Sequence, residues 1–306
     1  MRISRVGGII AAANERSAFP LYQIGDTTAV KRIVMIFQQA GIFPVVILSG
    51  AEEDQVRYQL ASSGVVFLST EQGEPELFES AKTGLRFLQD ICERVVFTPV
   101  NTPLFLPSTL SALTKAEGEI VSPSYQGRSG HPIAVSTAVI PEILNYQGAG
   151  GLRGALTRLK SRRQWIGVED AGILQAVHRE DSQAKLPNQY SQEFLHLTAE
   201  LKLKKNNSIF DARTKLLLLL IERNHSVRTA CAQMALSYSK GWEILNELES
   251  ALGIKLVERR HGGTKGGRTT LSEQGIRFLC EYQRLEEEIQ QHSEEKFAQM
   301  KASFSL

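Results

Sequence analysis

Up to residue 122 the chain alternates between short apolar runs and longer segments with apolar residues three and four positions apart. The runs at 6–13, 45–49, 65–68, 95–100 and 120–122 are dense in Val and Ile, which predicts strands buried on both faces. The segments 29–40, 51–62, 75–91 and 107–115 carry the helical period. Strands alternating with helices predict an α/β domain, a Rossmann-like and mostly parallel sheet with helices on both faces. Ligands of such sheets bind beyond the carboxyl ends of the strands. The loops at 14–25, 101–103 and 125–132 are therefore where a site is expected.

Both patterns stop over EDSQAKLPNQYSQE, residues 180–193, where polar residues and a proline mark a boundary. The chain is accordingly divided into residues 1–185, a linker at 186–197 and a smaller domain at 198–306. A short alternating piece at 196–204 opens the second part. Asp211 is an N-cap for the helix that follows. Five consecutive leucines at 216–220 predict that this helix is buried on every side. Ser226 is the next N-cap, and Ala230 is small enough to let two helices pack closely. Residues 236–239 form a turn and the start of another helix. Ile244, Leu245, Leu248 and Leu252 line one of its faces, and Gly253 ends it. A strand at 254–259, a basic glycine-rich loop at 261–268, a return strand at 269–271 and a long helix from about Ser272 complete the pattern. This order is a winged helix-turn-helix, which places one helix in the major groove of DNA.

Charge changes the picture only when it is read by region. The 306 residues are 42% hydrophobic and carry a net charge of +2. Residues 201–280 alone hold fourteen Lys and Arg against seven Asp and Glu, a local net of +7. A basic module beside a slightly acidic body suits a polyanionic partner. No apolar run approaches the ~20 residues that span a bilayer, so no membrane partner is expected. The first apolar run stops at Asn14-Glu15-Arg16, too short for a secretory leader, and reads better as a buried strand. Cys92, Cys231 and Cys280 are far apart and form no CxxC pair. They predict reduced thiols in a cytoplasmic protein, neither a disulfide framework nor a metal site.

Over residues 5–181 the ordered pieces IIAAAN, LYQIGDTTAVKRIV, VVILSGAEEDQV, ESAKTGL, VVFTPVNTP, YQGRSGHPIAVS and LRGAL resemble the molybdenum-cofactor nucleotidyltransferases. Gly130-His131-Pro132 is the most characteristic piece. The resemblance implies a fold of the nucleotide-diphospho-sugar transferase type. It also implies a reaction that uses Mg²⁺ and CTP or GTP to build a molybdopterin dinucleotide.

The departures from that family matter more than the matches. The family's first loop is glycine-rich and brings an arginine and a lysine to the triphosphate. Here Asn14 stands at the glycine and Phe19 at the lysine, in a loop about four residues shorter, with Arg16 the cation that could substitute. The family's Asp-x-Pro, whose carboxylate holds Mg²⁺, reads Asn101-Thr102-Pro103, and an amide carries no charge. A further carboxylate expected near the domain's end is Ala176. Such transfer depends on positioning and charge neutralisation. One loss of ~3 kcal/mol would slow it by roughly a hundredfold or more. The expectation is therefore that Asn14, Phe19, Asn101 and Ala176 are degenerate positions, that no catalytic residue is assigned and that no metal is held. Asn14, Arg16, Asn101, Gly130 and His131 are then the candidates for binding a nucleotide or pterin ligand. The alternative keeps an active molybdopterin cytidylyl- or guanylyltransferase. It would need compensation by Glu15, Asp26, Glu180 or Asp181 and would take Mg²⁺ with CTP or GTP. A lone His178 reads as surface. Arg153 reads as a surface cation or an anion contact, and Arg158, Lys160, Arg162 and Arg163 as a solvated helix face.

Residues 198–289 resemble the DNA-binding domain of molybdate-responsive regulators of the ModE type and, more distantly, LysR-type regulators. Ser237-Tyr238, Trp242, Val257-Glu258-Arg259, the GGTKGG loop at 262–267 and Leu271-Ser272 carry the resemblance. It implies a homodimer on a near-palindromic site, paired through flanking helices to which the apolar positions of 278–289 belong. Tyr238, Ser239, Lys240 and Glu243 lie on the first turns of the recognition helix, where side chains reach base edges. Lys265 and Arg268 in the wing suit phosphates or a minor groove. Arg228 and Thr229 suit a phosphate, whereas Trp242 is expected in the core. The two parts together predict a cytoplasmic regulator of transcription that binds double-stranded DNA. Its first domain would be a sensor that no longer transfers nucleotides.

Overall fold

The computed structural model describes residues 4–12, 20–49, 53–69, 77–177, 199, 201–205, 208–260 and 268–304. The chain divides into two compact units, residues 1–60 with 65–194 and residues 61–64 with 195–306.

In the first unit eight strands form one sheet. They are β1 (Ser4–Ala11), β4 (Val45–Ser49), β5 (Val66–Ser69), β6 (Cys92–Pro99), β7 (Ile120–Tyr125), β8 (Arg128–Ser129), β9 (Ile133–Ser136) and β10 (Arg163–Gly167). A small hairpin, β2 (Gln23–Ile24) with β3 (Thr27–Thr28), lies apart from it. The strand order is β10-β7-β9-β6-β1-β4-β5, with β8 bonded to β7. The helices are α1 (Ala29–Gln39), α2 (Glu53–Leu60), α3 (Leu77–Leu88), α4 (Pro107–Lys115), α5 (Ile140–Leu144) and α6 (Gly151–Arg158). β1 is central: Ile9 lies between Val46 of β4 and Phe97 of β6, both in parallel register. These residues are buried, which is why the central strands are so rich in Val and Ile. Gly8 lets α1 pack directly on β1, since a Cβ there would lie 2.5 Å from the Phe37 ring.

The sequence pattern anticipates the parallel strands β1, β4, β5, β6 and β7 and misses β2, β3, β8 and β9 as well as β10, which runs parallel to β7. β9 pairs antiparallel with both β6 and β7. The connection from β7 to β9 holds only residues 126–132, too few for the crossover that a parallel partner needs. The basic run at 158–163 is corrected: it is not one solvated helix face. α6 ends at Arg158, and Arg162 is ion-paired with Glu119 and Glu142. Arg163 opens β10, its Nε donating to Ser122 Oγ at 2.9 Å and its Nη2 to Ser129 Oγ at 3.1 Å.

The second unit contains a small hairpin, β11 (Leu203–Lys204) with β12 (Ser208–Phe210), and three helices, α7 (Ala212–Asn224), α8 (Val227–Gln233) and α9 (Tyr238–Leu252). A second hairpin, β13 (Val257–Arg260) with β14 (Arg268–Leu271), leads into α10 (Glu273–Phe304). Asp211 and Ser226 are N-caps as expected, accepting from the backbone N–H groups of Thr214 and Thr229. Leu216, Leu217, Leu218, Leu219 and Leu220 are all buried. Phe210 packs edge to face on Phe278 and Tyr282, with centroids 5.0 and 4.6 Å away. Lys215, buried inside α7, is ion-paired with Glu286 of α10. The strand expected from 254 begins only at Val257. The carboxylate of Glu249 captures the backbone N–H groups of Leu256 and Val257, at 2.7 and 3.1 Å, before the pairing with β14 starts. Two helices cross closely at Gly241, where a Cβ would lie 2.2 Å from Cys231 Sγ. Among the described residues no helix is long and apolar enough to cross a membrane.

Candidate functional site

The first candidate site lies at the carboxyl edge of the parallel strands. β6 ends at Pro99 and leads into half-buried Asn101, whose carbonyl accepts the backbone N–H of Val177 at 2.7 Å. That bond sets Ala176 beside Asn101. The two positions at which the family resemblance calls for carboxylates are thus neighbours, occupied by an amide and a methyl group. Asn101 Oδ1 accepts a long hydrogen bond, 3.5 Å, from Thr102 Oγ1. A carboxylate is present near this edge, but it is fully engaged. Asp170 is 1% exposed and accepts from Leu106 N at 2.7 Å, Thr109 Oγ1 at 2.6 Å and Gly172 N at 3.0 Å. It caps the 3₁₀ turn Ala171–Leu174 and fixes the start of α4. Mg²⁺ is usually held through one or two free carboxylates beside phosphate and water. Among the described residues, Asn101, Ala176 and Asp170 do not fit such a site.

Gly130 and His131 have local reasons for their identity. A Cβ on Gly130 would lie 2.2 Å from the Ile173 carbonyl oxygen, and the neighbouring His131 N–H donates to that same oxygen at 3.0 Å. The loop is thereby fastened to the 3₁₀ turn. The His131 ring meets Phe97 at a centroid distance of 6.1 Å. Burial pushes its pKa down to about 4, aided by the Arg163 charge and opposed by a hydrogen bond to the Phe97 backbone. The imidazole is therefore neutral at pH 7. Its Nδ1 is buried with no hydrogen-bond partner among the described residues. Arg153 is exposed on α6. Asn14, Arg16, Phe19, Glu15, Glu180, Asp181 and His178 lie outside the described residues, as does Lys265 of the other unit.

The second candidate site is the face of the second unit formed by the start of α9. Ser237 caps this helix, its Oγ accepting from Lys240 N at 3.2 Å. Tyr238, Ser239, Lys240 and Glu243 are all exposed, as are Arg228 and Thr229 of α8 and Arg268 of β14. Lys240 and Glu243 are ion-paired at 2.8 Å, an exposed contact worth ~0–1 kcal/mol and readily exchanged for another partner. The Thr229 N–H and hydroxyl are both turned to Ser226 Oγ, at 3.2 and 3.1 Å. Trp242, expected in the core, is only half-buried, with the Arg259 guanidinium 3.7 Å from its ring centre. In the sequence Arg259 stands among the residues that carry the family resemblance, within a strand-like VERR, and is given no contact of its own. The hairpin is fixed to the rest of the unit through β14. Glu222 accepts from Leu271 N at 2.8 Å, and the His225 carbonyl accepts from Thr269 N at 2.9 Å.

Comparison with known proteins separates the same two regions. Residues 19–163 match the model of the MobA-like NTP transferase domain. Among solved structures, a nucleotidyl transferase from Methanothermobacter is 16% identical with a TM-score of 0.53, covering 61% of this chain and 98% of that one. A homologue of Mycobacterium tuberculosis Rv0371c from Mycobacterium sp. strain JC1 is 21% identical with a TM-score of 0.50, covering 59% and 94%. At these identities the two structures establish the fold of the first unit and nothing further. The molybdenum transport protein ModE of Azotobacter vinelandii is 35% identical over 83 residues, 27% of this chain and 30% of that protein. The match thus spans less than a third of the relative's length. Residues 19–163 form a MobA-like NTP transferase domain, in a chain whose C-terminal region is similar to ModE.

Proposed function

We propose that this chain is a DNA-binding regulator of transcription tied to molybdenum metabolism, with a nucleotidyltransferase-like domain that senses rather than catalyses. The observation that carries the reading is the exposed start of α9. Tyr238, Ser239, Lys240 and Glu243 project from the first turns of a helix preceded by α8 and followed by the hairpin β13–β14. That order suits a winged helix-turn-helix, in which α9 would be the helix for the major groove. Arg228, Thr229, Arg268 and Lys265 would serve phosphates or the neighbouring groove. The likeness to ModE ties this region to molybdenum. In the first unit, the amide and methyl at Asn101 and Ala176 favour binding of a nucleotide or pterin without a metal and without transfer. Asn14, Arg16, Asn101, Gly130 and His131 are the residues proposed to surround that ligand.

A homodimer is part of the proposal. α10 is 32 residues long and exposes Leu285, Met300 and Phe304, the last at 70%. Such residues on one long helix suit pairing with a second copy on a near-palindromic site. A cytoplasmic location is part of the same proposal. Titration calorimetry of the full chain with CTP or GTP, with and without Mg²⁺, tests the sensor. Binding that ignores Mg²⁺ is expected. Tight Mg²⁺-dependent binding, with pyrophosphate released when molybdopterin is supplied, would instead make the chain an active cytidylyl- or guanylyltransferase. Retardation of a duplex from a molybdenum-related promoter tests the DNA half, and no retardation at low salt would end it.

A further inference from the structure

Four side chains form a row across the start of α9. The Arg228 guanidinium, from α8, lies 4.7 Å from the centre of the Tyr238 ring. Tyr238 and Trp242, one helical turn apart, meet edge to face at 6.2 Å and 88°. The Arg259 guanidinium, from β13, lies 3.7 Å from the centre of the Trp242 ring. Guanidinium, phenol, indole and guanidinium thus run from α8 over α9 to the hairpin. Arg228, Tyr238 and Arg259 are exposed, and Tyr238 keeps 43% of its surface in solvent, so the row lies on the outside of the unit rather than in its core.

A guanidinium stacks by its flat faces and donates hydrogen bonds from its edges. Stacking on a ring therefore leaves its N–H donors available to phosphate oxygens. It also restricts a long side chain that would otherwise lose its rotamer freedom on binding. A contact ordered in the free protein costs less to make in the complex. The ring pair Tyr238–Trp242 links the two cations through one rigid helix, so both are held relative to α9.

We propose that Arg259 is a preset contact to the DNA backbone, matched by Arg228 on the other side of α9, and that Trp242 is the positioning residue that holds it. The inference rests on the DNA-binding reading above and assigns two residues that reading lacked. The chain contains two tryptophans, and Trp165 lies in the other unit. Trp165→Phe therefore leaves Trp242 as the sole tryptophan and is the parent for the test. Full-length protein is titrated with a mixed-sequence duplex over a range of salt. Arg259→Gln is expected to weaken binding about tenfold and to lower the slope of log affinity against log salt by about one ion. Arg259→Lys should keep the slope and lose only part of the affinity. Trp242→Leu, in the wild-type background, keeps every charge and should weaken binding with the slope unchanged. A merely structural tryptophan would show no such split between affinity and slope. Emission from Trp242 should shift in Arg259→Gln without DNA, which reports the stack directly. Unchanged affinity and slope in Arg259→Gln, with a parent that binds, would overturn the proposal while leaving the DNA reading intact. A parent that binds no duplex even at low salt would overturn both.

Discussion

At the carboxyl edge of the sheet in the first unit, the Asp170 carboxylate turns inward and is matched by donors of the chain, whereas the polar groups on the start of α9 face solvent. Asp170 typifies the first region, with its carboxylate taking two backbone N–H groups and one hydroxyl. Arg259 and Lys240 typify the second, exposed and anchored among the described residues by a ring and a surface carboxylate. Residue type does not distinguish the regions, since both hold arginines and carboxylates. The distinction lies in whether the donors are matched within the chain. A buried, matched carboxylate stabilises the fold and has nothing left for a ligand. An exposed cation adds little to stability and remains open to a polyanion. Substitution of Asp170 should therefore register as stability, and substitutions on α9 as binding.

Asp170→Ala is the hardest test of that division. It would leave the Leu106 and Gly172 N–H groups and the Thr109 hydroxyl without their acceptor in a buried place, at a cost of about 4 kcal/mol. Trp165 in β10 reports the first unit once Trp242 is replaced by Phe, so its urea midpoint should fall sharply. A midpoint that holds while nucleotide binding disappears would make Asp170 a site residue and break the comparison.

His131 gives a pH signature to the same edge. Its pKa falls from 6.5 to about 4, so the folded state favours the neutral ring and the unfolded chain takes the proton first. The contribution is complete above pH 6.5 and is lost as pH falls from 6.5 toward 4. At 1.36 kcal/mol per unit it amounts to about 3 kcal/mol at most. His131→Asn should flatten the stability of the first unit across that window. A profile identical to wild type would remove the buried imidazole from the account. In the second unit Gly241→Ala should cost about 2 kcal/mol, because the new methyl meets Cys231 Sγ. Adding Cys231→Ala should recover part of the loss, and a purely additive pair would mean that the helices do not cross as closely as the structure has them.

The sequence made these regions legible to different degrees, for physical reasons. The caps at Asp211 and Ser226, the buried leucines of α7 and the Gly253 terminus depend on neighbours within a few residues, and local pattern reveals them. The missing charges at Asn101 and Ala176 were legible because a family pattern marks those positions. That they are neighbours depends on one backbone bond across 76 residues of chain. Asp170 was missed because its partners at 106 and 109 are more than 60 residues away. β9 was missed because a four-residue strand between two others gives almost no periodic signal. Trp242 is expected in the core because an aromatic at helical spacing usually packs inward; it is half-buried, and the cation over its ring sits on another element. Arg259 carried no signal of its own until β13 placed it over that ring.

The smallest effect concerns the turn that sets α8 against α9. Ala235 has a φ of +52°, in the left-handed region that a Cβ disfavours, and the following Leu236 N–H closes the turn on the Cys231 carbonyl at 2.9 Å. The strain at a non-glycine residue there is ~1 kcal/mol. Glycine removes it but gives back part through the greater freedom of the unfolded chain. Ala235→Gly should therefore stabilise the second unit by only about 0.5 kcal/mol, read from the Trp242 emission midpoint in urea. Affinity for DNA should not change, because none of the exposed residues of α9 moves. A glycine that stabilises the unit yet weakens DNA binding would sharpen the comparison in a specific way. It would show that the second region holds backbone strain in order to aim α9, whereas Asp170 in the first region serves to hold the fold together.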